Sequence, residues 1–229
     1  LRYGIPNYRF PRNRLQQELD AILSTGIEVK LNAEVGTEEM KKIHEEYDAV
    51  YIAIGAHAGK MMGMEGEECE NVISAVNMLK TIGDDQYPDY TGKDIIVVGG
   101  GNVAMDCCRS AARMTTGKVH LVYRRTEADA PADQEEIIEA KREGVIFHFL
   151  TGQDKLCVEN GVVTGLQCVA MERTEPDASG RRGVKPIAGS EFVIPCSHVI
   201  AAIGQKIDTT MLSDKDGIAR DRKGCIVID

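Results

Sequence analysis

Residues 94–125 read DIIVVGGGNVAMDCCRSAARMTTGKVHLVYRR. An apolar run, Ile95 to Val98, stops at Gly99, Gly100 and Gly101. Val103, Ala104, Cys107, Ala111 and Met114 then recur at the spacing of one helix face. A second apolar run, Val119 to Tyr123, ends in Arg124 and Arg125. The pattern predicts a strand, a glycine turn, a helix and a second strand, one βαβ unit. The turn itself carries Gly99-x-Gly101-x-x-Ala104, the dinucleotide-binding fingerprint with alanine in its last place.

Each of these residue types answers a physical demand. Gly99 permits the tight turn out of the strand. Gly101 has no Cβ to collide with a pyrophosphate, and Ala104 is small enough for helix to pack on strand. The helix N-terminus then presents unpaired N–H groups and a partial positive charge to phosphate. A glycine-rich structural turn is the plainer alternative. The strand before the turn, the helix after it and the second strand at the right distance favour a nucleotide site.

The end of the second strand bears on which nucleotide. An acidic residue there accepts from the ribose 2′-OH of NAD. Here stand Arg124 and Arg125, and a guanidinium suits a 2′-phosphate, which a carboxylate would repel. NADP(H) is the expectation. A solvated arginine pair is the plain alternative, and Glu127 close behind keeps NAD open.

The 229 residues suffice for one large or two small domains, and 43% apolar with 28% charged residues is ordinary for a globular protein. The net charge of −9 argues against a nucleic-acid or anionic-membrane binder. No apolar run approaches the ~20 residues of a membrane span, and no signal peptide opens the chain. The seven cysteines form no C-x-x-C and no cluster with histidine at metal-ligand spacing. Packed, reduced thiols in a cytoplasmic protein are expected, with no metal site.

Outward from the fingerprint, helices are predicted over 12–24, 38–46, 74–82 and 132–142. Strands are predicted over 27–31 and 48–55, the second buried and ending in Gly55. Residues 145–150 read as a third parallel strand. Asn160-Gly161 marks a hairpin between two short strands in 156–172. Residues 175–189 read as an exposed polar turn, 192–194 as a short antiparallel strand and 199–203 as a buried strand ending at Gly204. YDAVYIAIGA (47–56) and CSHVIAAIGQ (196–205) share Ala-Ile-Gly. Both read as crossings between domains, although two unrelated buried strands would share the same spacing.

The chain resembles a family. LRYGIPNYRFP, YDAVYIAIGA, VVGGGNVAMD, VYRR, EPDASGRR and HVIAAIGQ occur in this order in the glutamate synthase small subunit and its relatives. These are pyridine-nucleotide, FAD-dependent oxidoreductases. The resemblance implies an α/β fold: a Rossmann-like NAD(P)-binding domain with a parallel sheet plus an antiparallel β-meander, flanked by pieces of an FAD-binding domain. The implied boundaries are 1–58 for a partial FAD-domain segment, 59–205 for the NADPH-binding domain and 206–229 for the return to the FAD domain. Implied NADPH contacts are Gly100, Gly101, Asn102, Val103, Arg124, Arg125 and the crossing Ala202, Ile203 and Gly204. Arg9 and Val35 match positions that touch FAD.

The resemblance further implies hydride transfer from NADPH to FAD, then electron transfer to the iron–sulfur centres of a partner such as the glutamate synthase large subunit. The family's cysteine-rich segment, its FAD-binding GxGxxG and its closing Gly-Asp motif are not in this chain, which stops at Asp229. An internal fragment that binds NADP(H) and does not retain FAD is expected, and the isolated fragment is expected to be inactive. Ile207 and Ala130 depart from the residues common in relatives.

No catalytic acid, base or nucleophile stands out, as suits hydride transfer, in which cofactors carry the chemistry. His44, His57, His120, His148 and His198 read as structural or exposed, and Glu135, Glu136 and Glu139 as a solvated helix face. A sensor or assembly module that binds NADP(H) without turnover is the alternative function. A short-chain dehydrogenase is disfavoured, because its Tyr-x-x-x-Lys pair does not occur.

Overall fold

The computed structural model describes residues 1–176, 182–213, 217–221 and 224–228. The tip of the turn expected over 175–189, the centre of EPDASGRR, and Asp229 lie outside the described residues. The chain divides into two compact units. One comprises Leu1–Pro11 and Gly59–Gly204, the other Arg12–Ala58 and Gln205–Asp229. Two short strands, β1 (Ala58–Gly59) and β10 (Gln205–Lys206), pair with each other.

The first unit is built on a five-stranded sheet. Its strands are β2 (Val72–Ser74), β3 (Ile95–Val98), β4 (Val119–Tyr123), β5 (Ile146–Phe149) and β9 (His198–Ala201), in the order β2-β9-β3-β4-β5. Every pairing is parallel. A strand buried on both faces must be apolar throughout, and β3 is: Ile95, Ile96 and Val97 are 0% exposed. Its pleat sends successive side chains to opposite faces. Ile95 and Val97 meet the helices α3 (Ala75–Gly83), α4 (Asn102–Met114) and α5 (Gln134–Arg142) in one core cluster. Ile96 and Val98 meet a second cluster that includes Leu156, Val163 and Leu166.

Those last residues belong to an antiparallel meander, β6 (Thr151–Glu159), β7 (Val162–Pro176) and β8 (Arg182–Pro195). Asn160 and Gly161 turn its first hairpin with φ of 52° and 77°, the left-handed pair that a two-residue turn requires. The mixed α/β fold, with a parallel sheet and antiparallel strands, is as the sequence predicts. The expected exposed turn over 175–189 is mostly ladder. Arg182 to Pro186 pair with β7, helped by a Lys185–Glu172 ion pair of 3.1 Å.

Residues 1–11 pack with the first unit, whereas the expected boundary kept them with 12–58. Arg9 and Tyr8 are the reason. Arg9 pairs with Asp106 of α4 at 2.7 Å and with Glu136 of α5 at 3.2 Å. The Tyr8 ring lies under the guanidinium groups of Arg109 and Arg113.

The second unit holds α1 (Arg12–Leu23) and α2 (Thr37–Glu46). Glu38 and Glu39 in the first turn of α2 and His44 in its last complement the helix dipole. The strands expected over 27–31 and 48–55 do not form, since no other segment among the described residues supplies them a ladder. A lone extended segment has no partner for its backbone groups, and Tyr51 is 93% exposed.

Candidate nucleotide-binding site

The glycine turn opens at the carboxyl end of β3, between the ends of β4 and β9. Strand order reverses there, and open α/β sheets bind their ligands in such a crevice. The fingerprint residues divide by what surrounds them. Gly99 has φ +150°, and a Cβ on it would stand 2.3 Å from the Ala202 carbonyl oxygen. A Cβ on Gly100 would enter the Tyr123 ring at 2.5 Å. Ala104 is fully buried in the helix-side core. A Cβ on Gly101 would reach only ordinary van der Waals contact with the Pro131 ring, at 3.8 Å, so the fold itself does not require glycine there.

Gly101 caps α4 without a side-chain hydrogen bond. Its carbonyl accepts from the N–H groups of Ala104 and Met105. The N–H groups of Asn102 and Val103 have no acceptor among the described residues. Unpaired amides at a helix start suit an anion. The residues present therefore fit a pyrophosphate.

The loop after β4 walls this space. The Ala132 N–H donates to the Gly100 carbonyl at 3.1 Å. The Asn102 side chain accepts from the Asp133 N–H at 2.8 Å and donates to the Asp133 carboxylate at 3.1 Å, joining the starts of α4 and α5. Within the loop, Thr126 and Asp129 form a capping box, and the Tyr123 hydroxyl donates to the Asp129 carbonyl. The Thr126 hydroxyl, ahead of Arg173 and Arg125, holds the Asp129 carboxyl below its usual range.

Arg124 and Arg125 are not equivalent. Arg124 is exposed, and its guanidinium has no partner among the described residues. Arg125 is half-buried, and its carbonyl accepts from the Leu150 N–H. Glu127, the residue that kept NAD open, is held by Lys141 at 2.6 Å. On the other side of the turn, the Ala202 N–H donates to the Val98 carbonyl at 2.8 Å, and Gly204 has φ +117°. Lys60, in a loop that the sequence marks only by its glycines, donates its N–H to the Gly204 carbonyl at 3.0 Å.

Arg9 takes no part in this group. Arg9 is engaged by Asp106 and Glu136. Burial pushes the Asp106 carboxyl up, against the pull of Arg9. Val35 is half-buried in the second unit, just before the Gly36 cap of α2. Glu136 is not on a solvated face: its carboxylate receives both Arg9 and Arg109, and its side chain is 14% exposed. His120 and His148 share a ring-nitrogen hydrogen bond of 2.9 Å. Burial lowers both imidazoles, so both stay neutral at pH 7.

No cysteine forms a disulfide. Cys107 and Cys108 are fully buried, and burial raises both thiols far above their ordinary range. Cys168 and Cys196 are pushed up to about 12 by the same cause. Among the described residues, no group of three or more His, Cys, Asp or Glu could hold a metal ion. Nor is any helix there long and apolar enough to cross a membrane.

Comparison with known proteins gives the family of the chain. The chain is 44% identical to the beta subunit of an NADP(+)-dependent formate dehydrogenase from Moorella thermoacetica, over 100% of this chain and 32% of that one. It is 41% identical to the beta subunit of an NADPH-Fe(3+) oxidoreductase from Geobacter sulfurreducens, over 94% and 33%. The glutamate synthase [NADPH] small chain of Escherichia coli is 33% identical, over 99% of this chain and 51% of that one. The chain thus spans a third to a half of the length of these relatives. Among solved structures, Mycobacterium tuberculosis FprA in complex with NADPH superposes with a TM-score of 0.75 at 19% identity, over 96% of this chain and 63% of that one, a likeness of fold. Residues 7–229 match the pyridine nucleotide-disulphide oxidoreductase family, and the chain belongs to it.

Proposed function

We propose that this chain is the NADPH-binding core of an FAD-dependent oxidoreductase, which in its longer protein passes electrons to iron–sulfur centres of a partner subunit. One observation carries the reading. Among the described residues, the amides of Asn102 and Val103 at the start of α4 have no acceptor, and Arg124 at the end of the neighbouring strand has no partner. In such a site the amides of Asn102 and Val103 bind pyrophosphate, and Arg124 binds the 2′-phosphate. Glu127 is paired with Lys141 and Arg124 is not paired among the described residues, which supports NADP(H) over NAD. NADPH held by these residues would supply a hydride, for which FAD would be the acceptor in the longer protein.

The flanking 12–58 and 206–229 are proposed as parts of the FAD domain, with Val35 near that cofactor, whereas residues 1–11 with Arg9 pack with the nucleotide-binding unit. The proposed partner is an iron–sulfur redox subunit, of which the glutamate synthase large subunit is one kind. The names of the relatives support a redox subunit and leave several acceptors in view. Calorimetric titration of this chain with NADP+ and NAD+ tests the nucleotide, with NADP+ expected to bind more tightly. Equal affinity for the two overturns the assignment. Anaerobic reduction of the flavin by NADPH in the longer protein tests turnover; binding without reduction returns the sensor reading.

A further inference from the structure

Lys60 sits on the side of the glycine turn opposite Arg124. Arg124 ends β4, on one flank of β3, while Ala202 to Gly204 leave β9 on the other. The close approach of Gly99 to Ala202 brings that flank against the turn itself. Two residues on, the Gly204 carbonyl accepts from the Lys60 N–H at 3.0 Å. The Lys60 ammonium lies 4.0 Å from where a Cβ on Gly204 would stand, in the space that this glycine leaves open.

The backbone that carries Lys60 is fixed on both sides. Gly59 is pressed so closely on Ser74, the cap of α3, that a Cβ there would stand 2.5 Å from the Ser74 Cβ. After Lys60, the N–H groups of Met62 and Gly63 donate to the Glu67 carboxylate. The side chain itself is exposed, and its ammonium has no partner among the described residues. A fixed backbone with an unpaired cation at the mouth of a ligand crevice is an arrangement for a charged or polar ligand.

We propose that Lys60 is a further cofactor-binding residue, whose ammonium holds the nicotinamide half of NADP(H) through its phosphate and ribose hydroxyls. The inference rests on the nucleotide reading given above. A dinucleotide with its 2′-phosphate at Arg124 and its pyrophosphate at the start of α4 directs its second half toward Ala202–Gly204. Lys60 meets that half alone. It therefore contributes to binding of the whole dinucleotide and not to the adenosine half that Arg124 selects.

The test is calorimetric binding to this chain, wild type and variant, of NADP+, 2′,5′-ADP and 2′-phospho-ADP-ribose. Lys60→Gln is expected to weaken NADP+ and 2′-phospho-ADP-ribose by about 5–20-fold and to leave 2′,5′-ADP within about twofold. Lys60→Arg, which keeps the charge, is expected to restore most of the loss. Unchanged circular dichroism shows that the exposed substitution leaves the fold intact. Equal weakening of all three ligands, or of none, overturns the role of Lys60. Loss for NADP+ alone moves the contact to the nicotinamide ring and overturns the phosphate and ribose assignment. If the wild-type chain binds none of the three, the nucleotide reading itself falls, and this inference with it.

Discussion

Gly99 touches Ala202 across the two central strands: a Cβ on Gly99 would stand 2.3 Å from the Ala202 carbonyl oxygen. Two residues later, Gly101 has ordinary extended backbone, φ −98°, and a Cβ there would meet only the Pro131 ring at 3.8 Å. One short turn thus holds a glycine that the fold requires and a glycine that a ligand would require. Gly99→Ala forces a side chain to φ +150° and displaces β9, so its urea midpoint is expected to fall, with strain alone of about 1–3 kcal/mol. Gly101→Ala is expected to keep its stability within about 1 kcal/mol and to lose NADP+ affinity by about tenfold or more. A Gly101→Ala protein that binds NADP+ like wild type would refute the division.

The exposed, unpartnered guanidinium of Arg124 sets the next expectation. Arg124→Ala should cost about 1.5–3 kcal/mol of NADP+ binding and little of NAD+ binding, since a charge-assisted contact to the 2′-phosphate is lost. Arg125→Ala should cost less, because Arg125 is half-buried and acts on Asp129. Titration of both variants with both nucleotides decides between them.

Asn102 and Asp133 bind each other through two hydrogen bonds, at 2.8 and 3.1 Å. Asn102→Ala removes both and frees the wall of the site from the start of α4. A loss of about 1–2 kcal/mol is expected, read as a lower midpoint in chemical denaturation. A variant as stable as wild type would show that the loop is held elsewhere.

The ion-pair network around α4 predicts an acid-sensitive stability. Arg113 and Arg109 both grip Glu143 and hold its carboxyl down at about 2. A carboxylate depressed in the folded state stabilises above its unfolded value, here near 4.5. That contribution is lost as pH falls from about 5 toward 2. Glu143→Gln is expected to melt at lower temperature at pH 7 and to show a shallower decline of melting temperature between pH 5 and 2. Parallel declines for wild type and variant would place the acid response elsewhere.

The βαβ unit at 94–125 is legible in the sequence because local physics decides it. Four apolar residues need burial on both faces, and a glycine run cannot continue a strand. The Asn160-Gly161 hairpin is legible for the same reason, as its φ values are written in the residue types. The strands expected over 27–31 and 48–55 fail because a strand is a relation between segments, and alternation alone supplies no neighbour. Glu136 misleads in the same way. Its surroundings on α5 look solvated, yet Arg9, 127 residues away in sequence, and Arg109 close upon it.

By itself the sequence determined that a dinucleotide turn stands between two parallel strands, because glycines and small residues at those intervals have few other uses. Arginines at the strand end pointed it to NADP(H). Only the tertiary structure decided what each residue of the turn does. Gly99 and Gly100 yield to Ala202 and Tyr123, while at Gly101 a Cβ would meet only the Pro131 ring at 3.8 Å. It also separated Arg124 from Arg125, occupied Glu127 with Lys141, and brought Lys60 to the far side of the same turn. Such distinctions depend on which distant side chain or carbonyl fills the adjoining space, and that is fixed only when the strands pair.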